Sequence, residues 1–374
     1  MGGSSESTQS PQTTESFTTE DKQYLYSLFK SEYLWYERVP DVDYTVYSSP
    51  QQMIDALKYD LQDRWSYSQT LQEYNDGANQ VTQGFGMYTN ENAEIFHIFI
   101  DSPADKAGFD RGDIIVSINT QPANFSSYIA AEKNLNVESI IRVNRLGSYV
   151  DVAITPSKYS YKTTKSQLLV NLKGNKIGHL IFNEFTSASA SELDDVFTEF
   201  KANNIDELIV DLRYNLGGSL AVASILMDKI AGYNNENAIQ MKLKFNDNYT
   251  HENTNYTFEK DTNSLNLSRV VFITSEYSAS ASETVINGLK PYLNVKLIGS
   301  STHGKPVGMV GRSLNDYIYW LINFSIYNTN DEGDFYNGIE VDCSVYDRVE
   351  GSRMDINEEL LKEALYYIDN GSCS

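Results

Sequence analysis

The stretch RVVFITSEYSASASETVINGL, residues 269–289, decides how this chain is read. Arg269 to Thr274 is a short run of branched and aromatic apolar residues without polar alternation, the pattern of a strand buried on both faces. From Ser280 to Leu289 the spacing turns helical. Between them lies Tyr277-Ser278-Ala279-Ser280-Ala281-Ser282-Glu283. A buried strand that feeds a helix through a tight turn is the building unit of a parallel α/β sheet, and sites form there at the carboxyl ends of strands. Small residues let a substrate backbone come close. A serine at such a turn is exposed, and the helix N-terminus favours its alkoxide. The same residues also read as plain capping, with Ser280 as N-cap and Glu283 three positions on.

The same rhythm recurs on either side. KIGHLIFNEF (176–185) and DELIVDL (206–212) read as strands, as does VKLIG (295–299). Ser189–Ala202 and Gly217–Ala231 read as helices. The alternation predicts a mostly parallel sheet with helices on both faces. Two more loops at strand ends stand out. In Asp211-Leu212-Arg213-Tyr214-Asn215-Leu216-Gly217-Gly218 the paired glycines let backbone N–H groups converge on one point, able to hold an anion or an oxyanion. In Gly299-Ser300-Ser301-Thr302-His303-Gly304-Lys305-Pro306 the spacing begins like a phosphate loop, but Pro306 stands where Ser or Thr would hold a metal ion. What remains is a lysine after a strand, with Val307, Met309 and Val310 as apolar neighbours. Such a lysine acts as a base only when desolvation brings its pKa down from about 10.4 towards 7–8. His303 keeps a Ser–His arrangement open as a rival.

Upstream the pattern differs. Residues 20–77 read as an aromatic-rich helical unit. One stripe is Tyr24, Leu25, Leu28, Phe29 and Tyr33. A second helix is opened by Ser49 and Pro50, with Met53, Ile54, Leu57 and Leu61 as its stripe. This unit is too short to stand alone and should pack on the next part of the chain. Residues 78–158 read as short β segments, GFGMYT (84–89) among them, with a brief helix after Ser102-Pro103 that Gly108 ends. Residues 1–19 are Ser/Thr/Gln-rich and read as a disordered leader.

Composition narrows the function. Lys and Arg number 29 against 51 Asp and Glu, a net charge of −22, which argues against a nucleic-acid partner and against anionic lipid surfaces. No apolar run reaches the roughly 18–20 residues that span a bilayer. The four histidines are scattered, and Cys343 and Cys373 are too few for a cysteine-rich metal site, so no metal or cofactor is expected. Whether the two cysteines pair is left open.

Taken together, YSASASE (277–283), the Gly304-Lys305 pair and DLRYNLGG (211–218) resemble the S41 family of serine peptidases, the C-terminal processing type. Ser102-Pro103-Ala104-Asp105-Lys106-Ala107-Gly108, with Gly112-Asp113 after it, looks like the signature of a PDZ domain. GFGM (84–87) resembles its carboxylate-binding loop. The resemblance covers roughly residues 20–370 and is similar in order to S41 lipoproteins of Bacteroides-type bacteria. It implies a multidomain α/β fold: an N-terminal helical segment, a PDZ-like β-rich domain, and a ClpP/crotonase-like core at 165–374 with a mostly parallel sheet.

The resemblance implies Ser280 as nucleophile and Lys305 as base, with backbone amides of Gly217 or Gly218 and of Ala281 as the oxyanion hole. Arg213, Asn215 and Met309 take supporting positions. Met309 stands where the family often has a glutamine that orients the lysine. Amides of Phe85 and Gly86, within Gly84–Met87, would accept a peptide's terminal carboxylate while the peptide adds as a strand. Substrates would be peptides or unfolded or exported proteins, in a periplasmic or cell-envelope setting, with membrane contact only through a lipid anchor outside this chain. The alternative is a silent core whose PDZ-like groove captures C-terminal tails.

Overall fold

The computed structural model describes residues 17–171 and 173–374. The expected leader lies largely outside them, and its last residues, Thr18 and Thr19, already cap and begin a helix.

The core is a six-stranded sheet in the order Thr164–Val170, Lys176–Phe182, Glu207–Asp211, Arg269–Thr274, Asn294–Gly299, Cys343–Ser344. The first pair is antiparallel and every other pair parallel. Alternate side chains of the apolar runs face opposite ways. Leu208, Val210, Val270 and Phe272 pack with helices Ser189–Asn203, Leu220–Asn235 and Ala281–Leu289. Ile209, Val271 and Ile273 pack with helix Glu359–Asn370. Burial on both faces is why these strands read as continuous apolar runs. Cys343 and Cys373 form a disulfide that ties the C-terminal tail to the edge strand.

A second, antiparallel sheet is built around the hairpin Val307–Leu314 and Tyr317–Tyr327. The N-terminal unit packs here rather than on the domain next to it in sequence. Strand Tyr67–Thr70 pairs with Tyr317–Trp320. Helices Thr19–Ser31 and Pro50–Leu57 bury Leu25, Leu28, Phe29, Met53, Ile54 and Leu57 against Val307, Tyr319, Leu321 and Ile322. Both expected stripes overrun their helices: the first helix ends at Ser31, with Tyr33 buried beyond it. The second helix stops at Leu57, and Leu61 is 82% exposed beyond it.

Between these units lies a compact β domain. Its four-stranded sheet runs Gln121–Pro122, Ile114–Ile118, Ser139–Arg145, Ser148–Ile154. Helix Pro103–Ala107 is capped by Ser102 and ended by Gly108 in the left-handed region at φ 83°. Helix Phe125–Lys133 lies over Phe85 and Met87, with Tyr128 and Ala131 against their cluster. The expected strand 84–89 is interrupted. One strand ends at Gly84, the next begins at Met87, and Phe85-Gly86 turns between them.

Candidate active site

Three loops meet at the carboxyl end of the parallel sheet. The serine loop leaves strand Arg269–Thr274 and enters helix Ala281–Leu289 through Ser280, whose φ 57° and ψ −111° are rare for a residue with a side chain. Such strain persists only when surrounding structure enforces it. The enforcement is visible. Ser278 Oγ donates to the Leu212 carbonyl and the Ala279 amide to the Asn215 carbonyl. Ser282 Oγ donates to the same Asn215 oxygen at 2.9 Å. The serine loop is thus tied along its length to the glycine loop.

In the glycine loop, helix Leu220–Asn235 begins three residues later than the spacing predicts, because Ser219 supplies the cap. Gly217 and Gly218 stay outside it at φ 102° and 134°, with Gly218 bridged to Phe185. A Cβ on Gly217 would stand 2.9 Å from Ser280 Cβ and 3.0 Å from the Ala281 nitrogen, so only glycine permits this approach. The Gly217 amide donates to Asn215 Oδ1 at 2.9 Å. Among the described residues the Gly218 and Ala281 amides have no hydrogen-bond partner. Asn215 is therefore an organiser: its Nδ2 donates to the Phe182 carbonyl while its Oδ1 takes the glycine amide.

Arg213 faces away from this chemistry. It is fully buried, with its guanidinium bonded to Asp211 and Glu358. It anchors the base of the loop to the C-terminal helix.

The lysine loop is fastened by Glu283. Its Oε2 accepts from the amides of Ser280 and Lys305, each at 2.9 Å. Its Oε1 accepts from the Gly304 amide and Thr302 Oγ1, each at 2.6 Å. One buried carboxylate thus holds the serine and lysine backbones to a common point. Sequence reading allowed Glu283 only a capping role. Burial raises its pKa, and the four donors act against that rise.

The Lys305 side chain is half-buried. Burial pulls its pKa down to about 8, with Asp63 and Glu283 opposing. Among the described residues its Nζ has no ion pair and no hydrogen bond. The ring of Trp65 lies 5.8 Å from it. Pro306 leads into strand Val307–Leu314 rather than a helix, so no phosphate loop forms. Met309 packs in the apolar cluster under the N-terminal helices.

His303 is spent elsewhere. Its Nε2 lies 3.1 Å from Trp65 Nε1 and its Nδ1 3.2 Å from the Glu276 carbonyl oxygen. Indole N–H only donates and a carbonyl only accepts, which sets the proton on Nδ1 and uses both nitrogens.

The β domain reaches the same loops. Phe96 stacks on Tyr277 at 5.9 Å and lies 5.4 Å from Tyr214, and Arg111 pairs with Asp347. A cleft of about 410 Å³ is lined by Arg111, Arg145, Lys165 and Arg353 among others, but Ser280 and Lys305 do not line it. In the 84–87 turn, Gly86 has φ 81° and Phe85 and Met87 are buried. The Gly86 amide has no partner among the described residues. The Phe85 amide, expected free, instead donates to Glu132 Oε1 at 3.4 Å, and Glu132 Cγ crowds Gly84.

The chain is similar to known proteins in sequence and in fold. Family models match peptidase family S41 over residues 176–345, the peptidase S41 N-terminal domain over 20–67 and a PDZ domain over 100–133. A protein of Staphylococcus epidermidis named as a CtpA-like serine protease is 27% identical over 282 residues, 71% of this chain and 54% of that protein. The chain thus spans about half the length of such curated relatives. A crystal structure from Bacteroides fragilis, assigned as an S41 protease, superposes with a TM-score of 0.78 at 24% identity, covering 93% of this chain and 97% of that one. The photosystem II D1 C-terminal processing protease shares the fold at a TM-score of 0.55 and 16% identity, covering 93% and 97%.

Proposed function

Because the chain belongs to peptidase family S41, with a PDZ domain beside its core, we propose that it is a serine endopeptidase of the C-terminal processing type in which Ser280 and Lys305 act as a pair. The observation that carries this reading is the shared Glu283 carboxylate. It fastens the backbone of a strained serine and that of a desolvated lysine to one oxygen. With a pKa near 8, Lys305 is partly neutral at ordinary pH and can take the Ser280 hydroxyl proton.

The steps balance without any cofactor. Ser280 Oγ attacks the scissile carbonyl as its proton passes to Lys305 Nζ. The unpaired amides of Gly218 and Ala281 are the donors best suited to receive the oxyanion, since the Gly217 amide is already bonded to Asn215. The tetrahedral species collapses as the Lys305 ammonium protonates the leaving amine. Water then attacks the acyl-enzyme with neutral Lys305 as base, and the proton taken from water returns to Ser280. The substrate is an extended peptide segment of an unfolded or exported protein. The Cys343–Cys373 disulfide supports an oxidising compartment.

The test is cleavage of carboxymethylated casein by wild type, Ser280→Ala and Lys305→Ala, with fragments read by mass spectrometry. Wild type should cut, and both variants should lose about a thousandfold or more of the rate while remaining folded. An active Lys305→Ala protein would remove lysine as the base, and an active Ser280→Ala protein would remove the nucleophile.

A further inference from the structure

The Lys305 side chain is half-buried, and no polar side chain holds its amine among the described residues. A flexible four-carbon side chain left this way samples several rotamers, and a base must point one way. Two carboxylates are near, but both are occupied. Glu283 takes three amides and a hydroxyl. Asp63 takes the Trp65 and Ser66 amides, Tyr33 Oη and Ser66 Oγ. What faces the amine is the indole of Trp65, 5.8 Å from ring centroid to Nζ.

Trp65 is itself held firmly. Its amide bonds Asp63 at 3.0 Å, its indole N–H donates to His303 Nε2 at 3.1 Å, and the Arg64 guanidinium lies 4.9 Å from its ring. It comes from the N-terminal helical unit, and Met309 belongs to the same apolar cluster.

We propose that Trp65 is the positioning residue for Lys305, so that the N-terminal unit completes the catalytic site. This rests on the assignment of Ser280 and Lys305 as the reacting pair. The physical case concerns charge. A carboxylate paired directly with the amine would hold it protonated and spoil it as a base. An aromatic face excludes water and orients the amine, and it attracts the ammonium that forms when the serine proton arrives. That attraction is too weak to pin the proton there at rest. The charged groups that act on Nζ are Asp63 and Glu283, while His303 and Arg64 contact the Trp65 ring.

The experiment tracks labelling of Ser280 by a fluorophosphonate probe across pH 6–10 in the full chain. Wild type should show an acid limb near pH 8. Trp65→Phe keeps a ring and should stay within about threefold of wild type. Trp65→Leu keeps the site dry but loses the ring face, and should slow labelling about tenfold or more with the limb unmoved or lower. Trp65→Ala admits water and should move the limb up by about a unit or more. If the Trp65 variants do not fold, His303→Ala frees the indole while keeping it, and labelling should fall about three- to tenfold. Wild-type rates and an unmoved limb in Trp65→Leu and Trp65→Ala, with Lys305→Ala inert, would overturn the proposal alone. Undiminished labelling of Lys305→Ala would overturn the Ser–Lys reading and this proposal with it.

Discussion

At the scale of single residues, Glu283 carries two roles at once. As a cap it satisfies the amide of Ser280, and as a clamp it satisfies Thr302, Gly304 and Lys305. Both roles use the same side chain because the lysine loop passes directly over the first turn of the serine helix. Glu283→Ala should destabilise the fold by about 2–4 kcal/mol, since several buried donors lose their acceptor. It should also lower kcat by roughly a hundredfold or more, because the serine and lysine backbones are released together. Denaturant unfolding alongside casein cleavage checks both. A variant that loses stability but keeps kcat would show that Glu283 caps without positioning. Lys305 makes a related point: its fit to a phosphate-loop pattern is local coincidence, and Pro306 with the strand after it decides against one.

At the scale of elements, the turn at residues 84–87 shows what one helix can do to a neighbouring loop. The glycines turn the backbone as a peptide-carboxylate site requires, but helix Phe125–Lys133 lays Glu132 across the Phe85 amide, with Tyr128 Oη bonded to the Met87 carbonyl. Burial raises the pKa of Glu132, the Phe85 amide acting against it. A peptide terminus would have to displace one carboxylate with another. Glu132→Ala should therefore strengthen binding of a free-carboxylate peptide ending in valine by about tenfold or more, measured by fluorescence anisotropy in a Ser280→Ala background. The amidated peptide should gain nothing. Equal affinities of the free acid for both proteins would show that Glu132 does not compete for the loop.

At the scale of the whole molecule, the β domain sits on the glycine and serine loops through aromatic rings and buried charges. His97 is enclosed there among Tyr88, Phe99 and Tyr214, with Nδ1 unpaired. Burial lowers its pKa to about 3, and Arg353 and Arg111 add to the shift. The folded protein keeps it neutral, whereas the unfolded chain protonates it near 6.5. Its contribution is present in full above that pH and is lost as pH falls from there towards about 3. Buried Asp228, raised to about 7, acts in the opposite direction, so the total pH dependence would hide the effect. The difference in unfolding free energy between wild type and His97→Phe isolates it. That difference should fall by about 1.4 kcal/mol per pH unit between roughly pH 6 and 4. A flat difference would mean that His97 is not held neutral.

Much of this was legible in the chain itself. Doubly buried strands have to be apolar throughout, so residues 206–212, 269–275 and 295–299 announced the parallel sheet. Glycine pairs, a serine between alanines and a lysine after a strand announced which loops would meet, because loops at strand ends must lie on one rim. Caps such as Ser49, Ser102 and Gly108 were readable because they act within a few residues. Contacts between distant segments were not readable. Nothing local says that residues 24–57 pack on residues 307–322, that Trp65 meets Lys305, or that Glu132 covers Phe85. The commitment of the Gly217 amide to Asn215, and of both His303 nitrogens, likewise arose only when the loops met. Periodicity and capping are written over a few residues. The surroundings of the Lys305 amine are set by whichever surfaces the folded chain brings against it, and that is a property of the tertiary structure alone.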